Sequence, residues 1–365
     1  MADQLSTPPT SPMTATVPTQ PGQPPTDFLE YWRTSVREIK TFRGHSQGIW
    51  AVAFAPDGQT LASGGVDRLV RLWDIETGRL LRSLRGHTHD IRAVAFTPDG
   101  QTLATASEDR TIRLWNPKTG EPMKLLFTRY DHNVVSLSLS PDGLMLARGS
   151  HNKDIKIWEV TTGTELMTLL GKDQYDHHWS VCVAFSPDGM HLASGSDIGK
   201  IRIWEVLPSG EEKVLHNAHW QETEEDSTET RGYFIEDDGG FQKPMEYWIG
   251  AMTFTPDAKL LFTGSRDTTI KVFEMPTANE IRTLRGHSGW VRSLAVSLDG
   301  KVLVSAADDN TVKFWDIATG RAFRTLKGHD GSVRCVTFSP NGLHLATASW
   351  DRTIKLWEGG AEPVE

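Results

Sequence analysis

One unit of sequence recurs along this chain at nearly constant spacing, and that periodicity limits the fold more than any other feature. The unit is clearest between Arg85 and Asn116, RGHTHDIRAVAFTPDGQTLATASEDRTIRLWN. Its counterparts end at Trp73, Trp115, Trp158, Trp204, Phe273, Trp315 and Trp357, at intervals of 42, 43, 46, 69, 42 and 42 residues. A unit this short cannot bury its own apolar face, so neighbours must stack into one continuous core. The chain holds thirteen Trp against five Tyr, and six of the seven repeat ends are Trp, so the excess of indoles belongs to the repeat.

Strands can be read within a unit. Ala93-Val94-Ala95-Phe96 alternates small with large, as a strand sandwiched between neighbours should. Pro98-Asp99-Gly100 is a turn, with Pro presetting φ and Gly taking φ > 0. Leu103–Ala106 is a second strand, Asp109-Arg110 turns the chain, Thr111–Trp115 is a third, and Thr119-Gly120 leads outward into a fourth. Gly-His, Pro-Asp-Gly, Ser-x-Asp and Leu-Trp elements recur together from about residue 36 to 358, and in them the sequence resembles the WD-repeat family. The resemblance implies an all-β fold, a single seven-bladed β-propeller of four-stranded antiparallel blades spanning residues 31–358. After Trp357 only eight residues remain, too few for a fourth strand. Arg37–Phe42 precedes the first Gly-His as Glu280–Leu284 and Ala322–Leu326 precede later ones, so this N-terminal strand is expected to complete the last blade. Closing the ring that way removes an exposed sheet edge.

Residues 1–25 hold seven of the nineteen prolines, and 1–30 is expected to be a disordered Pro/Thr-rich tail. Residues 359–365 form a short C-terminal tail. The N-terminus lacks the basic and apolar regions of a signal peptide. No run approaches the ~18 apolar residues of a membrane span. Cys182 and Cys335 each lie in an apolar run and read as packing thiols of a reducing compartment. A soluble cytoplasmic protein is expected, and a eukaryotic source would admit the nucleus. Net charge is −9, which disfavours direct nucleic-acid binding. Residues 221–247 carry nine acidic and two basic side chains, a balance of −7 that leaves only −2 for the rest. This acidic insertion follows His219 in the fifth unit and includes Tyr233, Phe234, Ile235 and Phe241. It reads as a lid or docking arm for a basic partner, or equally as a solvated excursion.

The Gly-His histidines invite a search for metal or acid–base chemistry. His45, His87, His287 and His329 each lie 22 residues before an Asp: Asp67, Asp109, Asp309 and Asp351. In the family that the sequence resembles, such a pair hydrogen-bonds with a Ser or Thr and the strand Trp. The matching residues are Ser63, Thr105, Ser305 and Thr347, with Trp73, Trp115, Trp315 and Trp357. A carboxylate and a hydroxyl satisfy both nitrogens of a buried imidazole, so a structural role is expected. The four histidines fall in different units and cannot meet at one metal; no metal, cofactor or catalytic residue is expected. The third unit departs from the pattern with Tyr130, Arg148 and Asn152 at the His, Ser/Thr and Asp positions. The fourth has Asp176 and Ile198 at the His and Asp positions, with Asp197 one place early. The fifth has Ala218-His219, keeps Thr263 and Asp267, and ends in Phe273. These units should form the weaker arc. His177-His178 points two adjacent side chains apart and lacks a third ligand.

Strand direction puts the Pro-Asp-Gly and Thr-Gly hairpins on one face and the Gly-His loops and Asp turns on the other. On the latter face the residues differ between units, and variation on a constant scaffold is where specificity resides. Trp50, Arg92, Gly250, Arg292 and Arg334 stand five residues after the His position. Asp90, Trp248 and Trp290 stand three after it. Glu108, Arg266, Asp308 and Trp350 immediately precede the turn Asp. Exposed Trp and Arg are enriched at binding hot spots, and WD propellers commonly bind peptides at this rim. The alternative is that these Trp cap the barrel end. The function expected is a non-catalytic protein–protein interaction scaffold, a monomeric propeller within a complex, with a protein or peptide partner and no membrane. Two alternatives are a regulatory subunit of a chromatin or RNA-processing complex that binds basic tails, and an enzyme with its site at the channel mouth. The second would have to rely on Arg266, Asp308 and Glu108, which match no catalytic set.

Overall fold

In a computed structural model of the chain, residues 25, 27–127, 133–151, 154–170, 180–197, 199–206, 234–235, 241–242 and 248–360 are described. A short helix, α1 (Phe28–Thr34), and a strand, β1 (Val36–Arg43), lead into the first blade. That blade is β2 (Ile49–Phe54), β3 (Thr60–Gly65), β4 (Val70–Asp74) and β5 (Leu80–Leu84), hydrogen-bonded in chain order. Blades 2, 3, 5 and 6 repeat the same antiparallel order, starting at Ile91, Val134, Ile249 and Val291. Blade 4 runs from Ser180 to Glu205 with three strands among the described residues, and one Ser150–Ser180 backbone pair links it to blade 3. With blade 7, in which Val333–Phe338, His344–Ser349 and Thr353–Gly359 are completed by β1, these make the seven-bladed propeller that the repeat count implied. No helix among the described residues is long and apolar enough to cross a membrane.

The strands bury in the order that the sequence pattern requires. β3 and β4 are buried along almost their whole length, whereas β5 is exposed at all but its last residue. The middle strands are pressed between blades on both faces, hence the small residues of Leu61-Ala62-Ser63-Gly64-Gly65. A Cβ on Gly64 would lie 2.4 Å from Ile91 Cγ2 of the next blade. Each seam is filled by apolar side chains around a repeat-ending aromatic. Trp73 packs with Phe42, Ile49, Phe54 and Ile354 where the last blade meets the first. Fully burying a large apolar side chain is worth about 1.5–3 kcal/mol, so seven such seams hold the ring together.

At the joint, β1 pairs antiparallel with Thr353–Gly359, from Val36 opposite Gly359 to Arg43 opposite Thr353. Just ahead of it α1 is capped by Asp27, whose Oδ1 accepts from Leu29 N at 3.0 Å. Phe28, Tyr31 and Trp32 share one buried face of the helix. Trp32, 0% exposed, lies between Phe314 and Phe338 with ring centroids 5.4 and 5.6 Å away. The tail boundary drawn at residue 30 therefore cuts through a packed helix; its seven residues are too few to stand out beside the prolines.

Among the described residues, basic side chains of four outer strands bind their blade to the next. Lys40 donates to Ile75 O and Glu76 O, Arg82 to Lys118 O at 2.6 Å, and Lys124 to Thr161 O. Arg282 donates to Ile317 O and Ala318 O, both at 3.1 Å. These acceptors lie on or beside the next blade's outer hairpin. Blade 7 has no such hairpin, because its outer strand is β1. There Arg324 donates instead to Trp32 O at 3.2 Å and Arg33 O at 2.6 Å, so the end of α1 takes the hairpin's place.

Candidate interaction site

The inner strand of each blade carries a β-bulge near its start, where two residues oppose one. In blades 3 and 4 the register shifts fall between Val134 and Ser136 and between Ser180 and Cys182. In the other five they fall between Ile49 and Ala51, Ile91 and Ala93, Ile249 and Ala251, Val291 and Ser293, and Val333 and Cys335, and it is these five that concern the rim. The extra residues are Trp50, Arg92, Gly250, Arg292 and Arg334. A bulge leaves its residue outside the ladder and re-aims the side chain. All five line the central channel, a cavity of about 420 Å³, together with Glu108, Trp248 and Trp290.

Two clusters of indole and guanidinium form around this channel. In one, Trp50 meets Trp350 edge to face at 5.3 Å. Arg92 stacks 3.6 Å from the Trp50 ring, and Arg334 lies 4.8 Å from Trp50 and 5.0 Å from Trp350. In the other, Trp290 carries Arg292 at 3.3 Å and Arg266 at 5.6 Å and packs on Trp248 at 5.2 Å. Gly250 makes room for it, since a Cβ there would come within 2.7 Å of Trp290 Nε1. Asp308 joins the clusters: Arg292 donates to it through Nε and Nη2 at 3.0 and 2.7 Å, and Arg334 Nη1 lies 3.2 Å away. Arg92 pairs with Glu108 at 3.3 Å, and Trp50 Nε1 donates to Asp90 at 3.3 Å. Cations stacked on indole faces keep their charge while shedding water.

Sequence reading put these ten residues on an exposed rim. The structure brings them together, yet only Arg266 and Trp350 are exposed; the other eight are half-buried. The bulges tip them inward, and their charges are mutually engaged. Burial lowers the pKa of Arg92, opposed by Glu108 and reinforced by Arg292. Burial also lowers that of Arg292, against the pull of Asp308. Arg334 is brought down to about 10 by burial and by repulsion from Arg292. Burial raises the Glu108 carboxyl. His151, which sequence reading did not select, packs against Trp248 at 6.2 Å. It precedes Asn152 as Glu108 precedes Asp109, and the loss of the Asp hid that equivalence.

Below the rim, four relays repeat within blades 1, 2, 6 and 7. In blade 2, Trp115 Nε1 donates to Thr105 Oγ1 at 2.9 Å, that hydroxyl lies 2.8 Å from His87 Nε2, and His87 Nδ1 lies 2.8 Å from Asp109. The corresponding His–Asp distances are 2.9 Å for His45–Asp67, 2.8 Å for His287–Asp309 and 2.7 Å for His329–Asp351. Ser63, Ser305 and Thr347 accept from Trp73, Trp315 and Trp357 at 2.8, 2.8 and 2.9 Å. Burial alone would raise these four aspartates, but donation from His and from backbone N–H holds each well below the usual carboxylate range. Burial lowers the pKa of His45, against the pull of Asp67. Blade 1 has Leu69 where the others have a hydroxyl donor to Asp, and there Arg71 reaches Asp67 at 2.6 Å instead.

The irregular units keep fragments of this pattern. Trp204 Nε1 donates to Ser194 Oγ at 2.9 Å, and Thr269 Oγ1 to Asp267 at 2.7 Å. Arg148, buried in the hydroxyl position, pairs with Asp154 at 3.3 Å. Tyr130, Asn152, Asp176, His177, His178, Ile198 and His219 lie outside the described residues. So does most of 221–247, where Phe234–Ile235 pairs with Phe241–Gln242. Among the described residues no group of three or more His, Cys, Asp or Glu could hold a metal ion. Both thiols are free, and burial raises their pKa, which disfavours the reactive thiolate.

A family model described as "WD domain, G-beta repeat" matches seven segments, residues 36–74, 78–116, 123–159, 168–205, 244–274, 278–316 and 320–358. Eukaryotic translation initiation factor 3 subunit I of Phaeosphaeria nodorum is 46% identical over 43 residues, 12% of this chain and 13% of that protein. The protein of the same name from Aspergillus niger is 39% identical over 52 residues, 14% of this chain and 15% of its own. WD repeat-containing protein AAC3 of Dictyostelium discoideum is 45% identical over 49 residues, 13% of this chain and 10% of its own. Each match thus spans about one repeat and a small part of the relative's length.

Proposed function

The chain belongs to the WD-repeat family of β-propellers, and from that premise we propose that it is a non-catalytic interaction scaffold whose Gly-His face receives a protein or peptide partner at the Trp/Arg rim. The observation that carries this reading is the Trp50–Arg334–Trp350 stack at the channel mouth, with Trp350 41% exposed at its edge. Indole faces held rigid by stacked arginines offer contact area at little cost in side-chain entropy. An enzymatic site is not favoured, because Asp308 and Glu108 are each neutralised by arginine and neither is free to act as a base. The short matches to a subunit of an initiation factor support a place within a cytoplasmic multi-protein assembly. The acidic insertion, which its place in the fifth unit assigns in sequence to this same face, would add a docking arm for basic segments, as binding of basic tails in chromatin or RNA-processing complexes would require.

The test is affinity capture from the native source with wild type and a Trp350→Ala/Arg334→Ala double variant of unchanged circular dichroism. Partners held by wild type and lost by the variant are expected; an identical partner set would exclude the rim. Deleting 221–247 and raising salt separates the contribution of the acidic arm.

A further inference from the structure

The berth of α1 has an open counterpart two seams further round the ring. On the Pro-Asp-Gly face, Trp32 fills a groove between blades 6 and 7 walled by Phe314 and Phe338, with Phe323 at its lip. Counting back 242 residues gives Leu72, Phe96 and Leu81 at the seam of blades 1 and 2. There the groove is an empty cavity of about 470 Å³, and Leu81 is 51% exposed at its lip. The polar frame repeats in part: Asp74 stands where Asp316 pairs with Arg33 at 3.3 Å, whereas Arg82, the counterpart of Arg324, is already bound to Lys118 O of its own chain at 2.6 Å. Asp74 Oδ1 accepts from Thr77 N as Asp316 Oδ1 does from Thr319 N, which fixes both carboxylates alike.

The floor matches too. Phe28 rests on Gly342, where a Cβ would fall 1.9 Å from its ring, and Gly100 supplies the same bare floor with nothing nearer than 3.5 Å. One seat differs. Gly359 makes room for Tyr31, with a would-be Cβ only 2.6 Å from that ring, and Pro117 closes the equivalent space. Trp32 Nε1 makes no hydrogen bond in its berth, so the groove selects apolar bulk and not a donor.

We propose that the groove between blades 1 and 2 is a second docking berth, which takes a short amphipathic helix of a partner protein. That helix presents two large apolar side chains four residues apart, as Phe28 and Trp32 do, followed by a basic residue for Asp74. Helix-in-groove recognition through anchors at i and i+4 is the general mode. The berth lies on the face opposite the rim and stands independently of the function proposed for it.

The probe is a labelled peptide with the sequence of residues 25–35 and Tyr31 replaced by Ala, titrated against the full chain by fluorescence anisotropy. Saturable binding with a dissociation constant between about 10 µM and 1 mM is expected for two anchors. Leu81→Glu, at an exposed position that leaves the propeller intact, should weaken it at least about tenfold by setting a charge against the apolar anchor. Peptide with Ala at both anchors should not bind, and Trp350→Ala/Arg334→Ala should bind as wild type does. No saturation by about 1 mM, weaker than any two-anchor site, overturns the proposal. So does binding that Leu81→Glu leaves unchanged, because the peptide then sits elsewhere. Dimerisation of the chain that Leu81→Glu abolishes would overturn the assignment to a partner and make a second copy's helix the occupant.

Discussion

Replacing Asp109 by Ala removes the acceptor at the end of one relay, and the geometry sets the size of the loss. The side chain is 5% exposed and accepts from His87 Nδ1 at 2.8 Å, Thr88 N at 3.0 Å, Thr111 N at 3.0 Å and Thr111 Oγ1 at 2.6 Å. The Thr88 N–H faces the surface and can turn to water. The His87 ring, buried in the blade, cannot, and a stranded buried donor costs about 1–3 kcal/mol. Adding the two Thr111 hydrogen bonds at about 1 kcal/mol each brings the loss to about 3–5 kcal/mol. At about 2 °C per kcal/mol for a domain of this size, Tm should fall by roughly 5–10 °C. The pH dependence follows from the sign of the shift. The folded carboxyl is held below its usual range, mainly by His87 and Thr111 against the opposing effect of burial. Its stabilisation is therefore complete above the unfolded pKa of about 3.9 and is lost as pH falls through the folded value. Calorimetry of wild type and variant at pH 7 and pH 3 should show the full gap at pH 7 and a narrower one at pH 3. An unchanged Tm at pH 7, or a gap equal at both, would refute an ionised relay.

Four further outcomes are expected. Trp32→Ala should cost about 3–5 kcal/mol by chemical denaturation, because the site is closed on every side. Deleting residues 1–42 should give aggregation or a large fall in Tm, since it removes β1 and bares the edge of blade 7; a stable, monomeric 43–365 fragment would contradict this. Neither Cys182, its thiol pushed up to about 12 by burial, nor Cys335 should be alkylated at pH 8 until denaturant is added, as mass spectrometry would show. Arg71→Ala should destabilise blade 1 by about 1.5–3 kcal/mol, the worth of a charge-assisted hydrogen bond, with rescue by Leu69→Thr; Arg113→Ala in blade 2 should do little, because Thr111 already holds Asp109.

What could be read from the sequence follows from how local each signal is. The blades were legible because strand alternation and turn residues such as Pro98-Asp99-Gly100 act within a few positions. The His–Asp pairs were legible because a spacing of 22 survives wherever the intervening hairpin keeps its length. The bulges were not, since Ile49-Trp50-Ala51-Val52 reads as ordinary strand and its register is set by the partner residues Gly64 and Gly65. That is why Trp50 and Arg334 were expected to project freely and instead lie half-buried across the channel. His151 was hidden because its unit has lost the Asp that anchors the register. The α1 helix was hidden because Phe28 and Trp32 have meaning only against Phe314, Phe338 and Gly342, nearly 300 residues away.

The closing joint shows why a helix, and not more strand, precedes β1. In four places around the ring an outer strand sends a basic side chain to the next blade's outer hairpin, and the guanidinium or ammonium needs carbonyls to meet there. Where the chain ends join, blade 7 borrows its outer strand from the N-terminus, so the hairpin is missing and Arg324 would be left without acceptors. A strand entering straight would offer carbonyls spaced along its length and directed sideways into its own ladder. A helix C-terminus offers several free carbonyls in one place, all directed away from its axis end. The α1 helix supplies Trp32 O and Arg33 O to Arg324, and the same turn sets Trp32 into the groove between blades 6 and 7, whose counterpart between blades 1 and 2 stands empty. The seam beside the non-covalent joint of blade 7 thus gains an apolar plug that the seam between blades 1 and 2 does without. It follows that removing α1 while keeping β1 should weaken this seam more than losing the strand's first hydrogen bonds would, because it strips both the plug and the acceptors of Arg324.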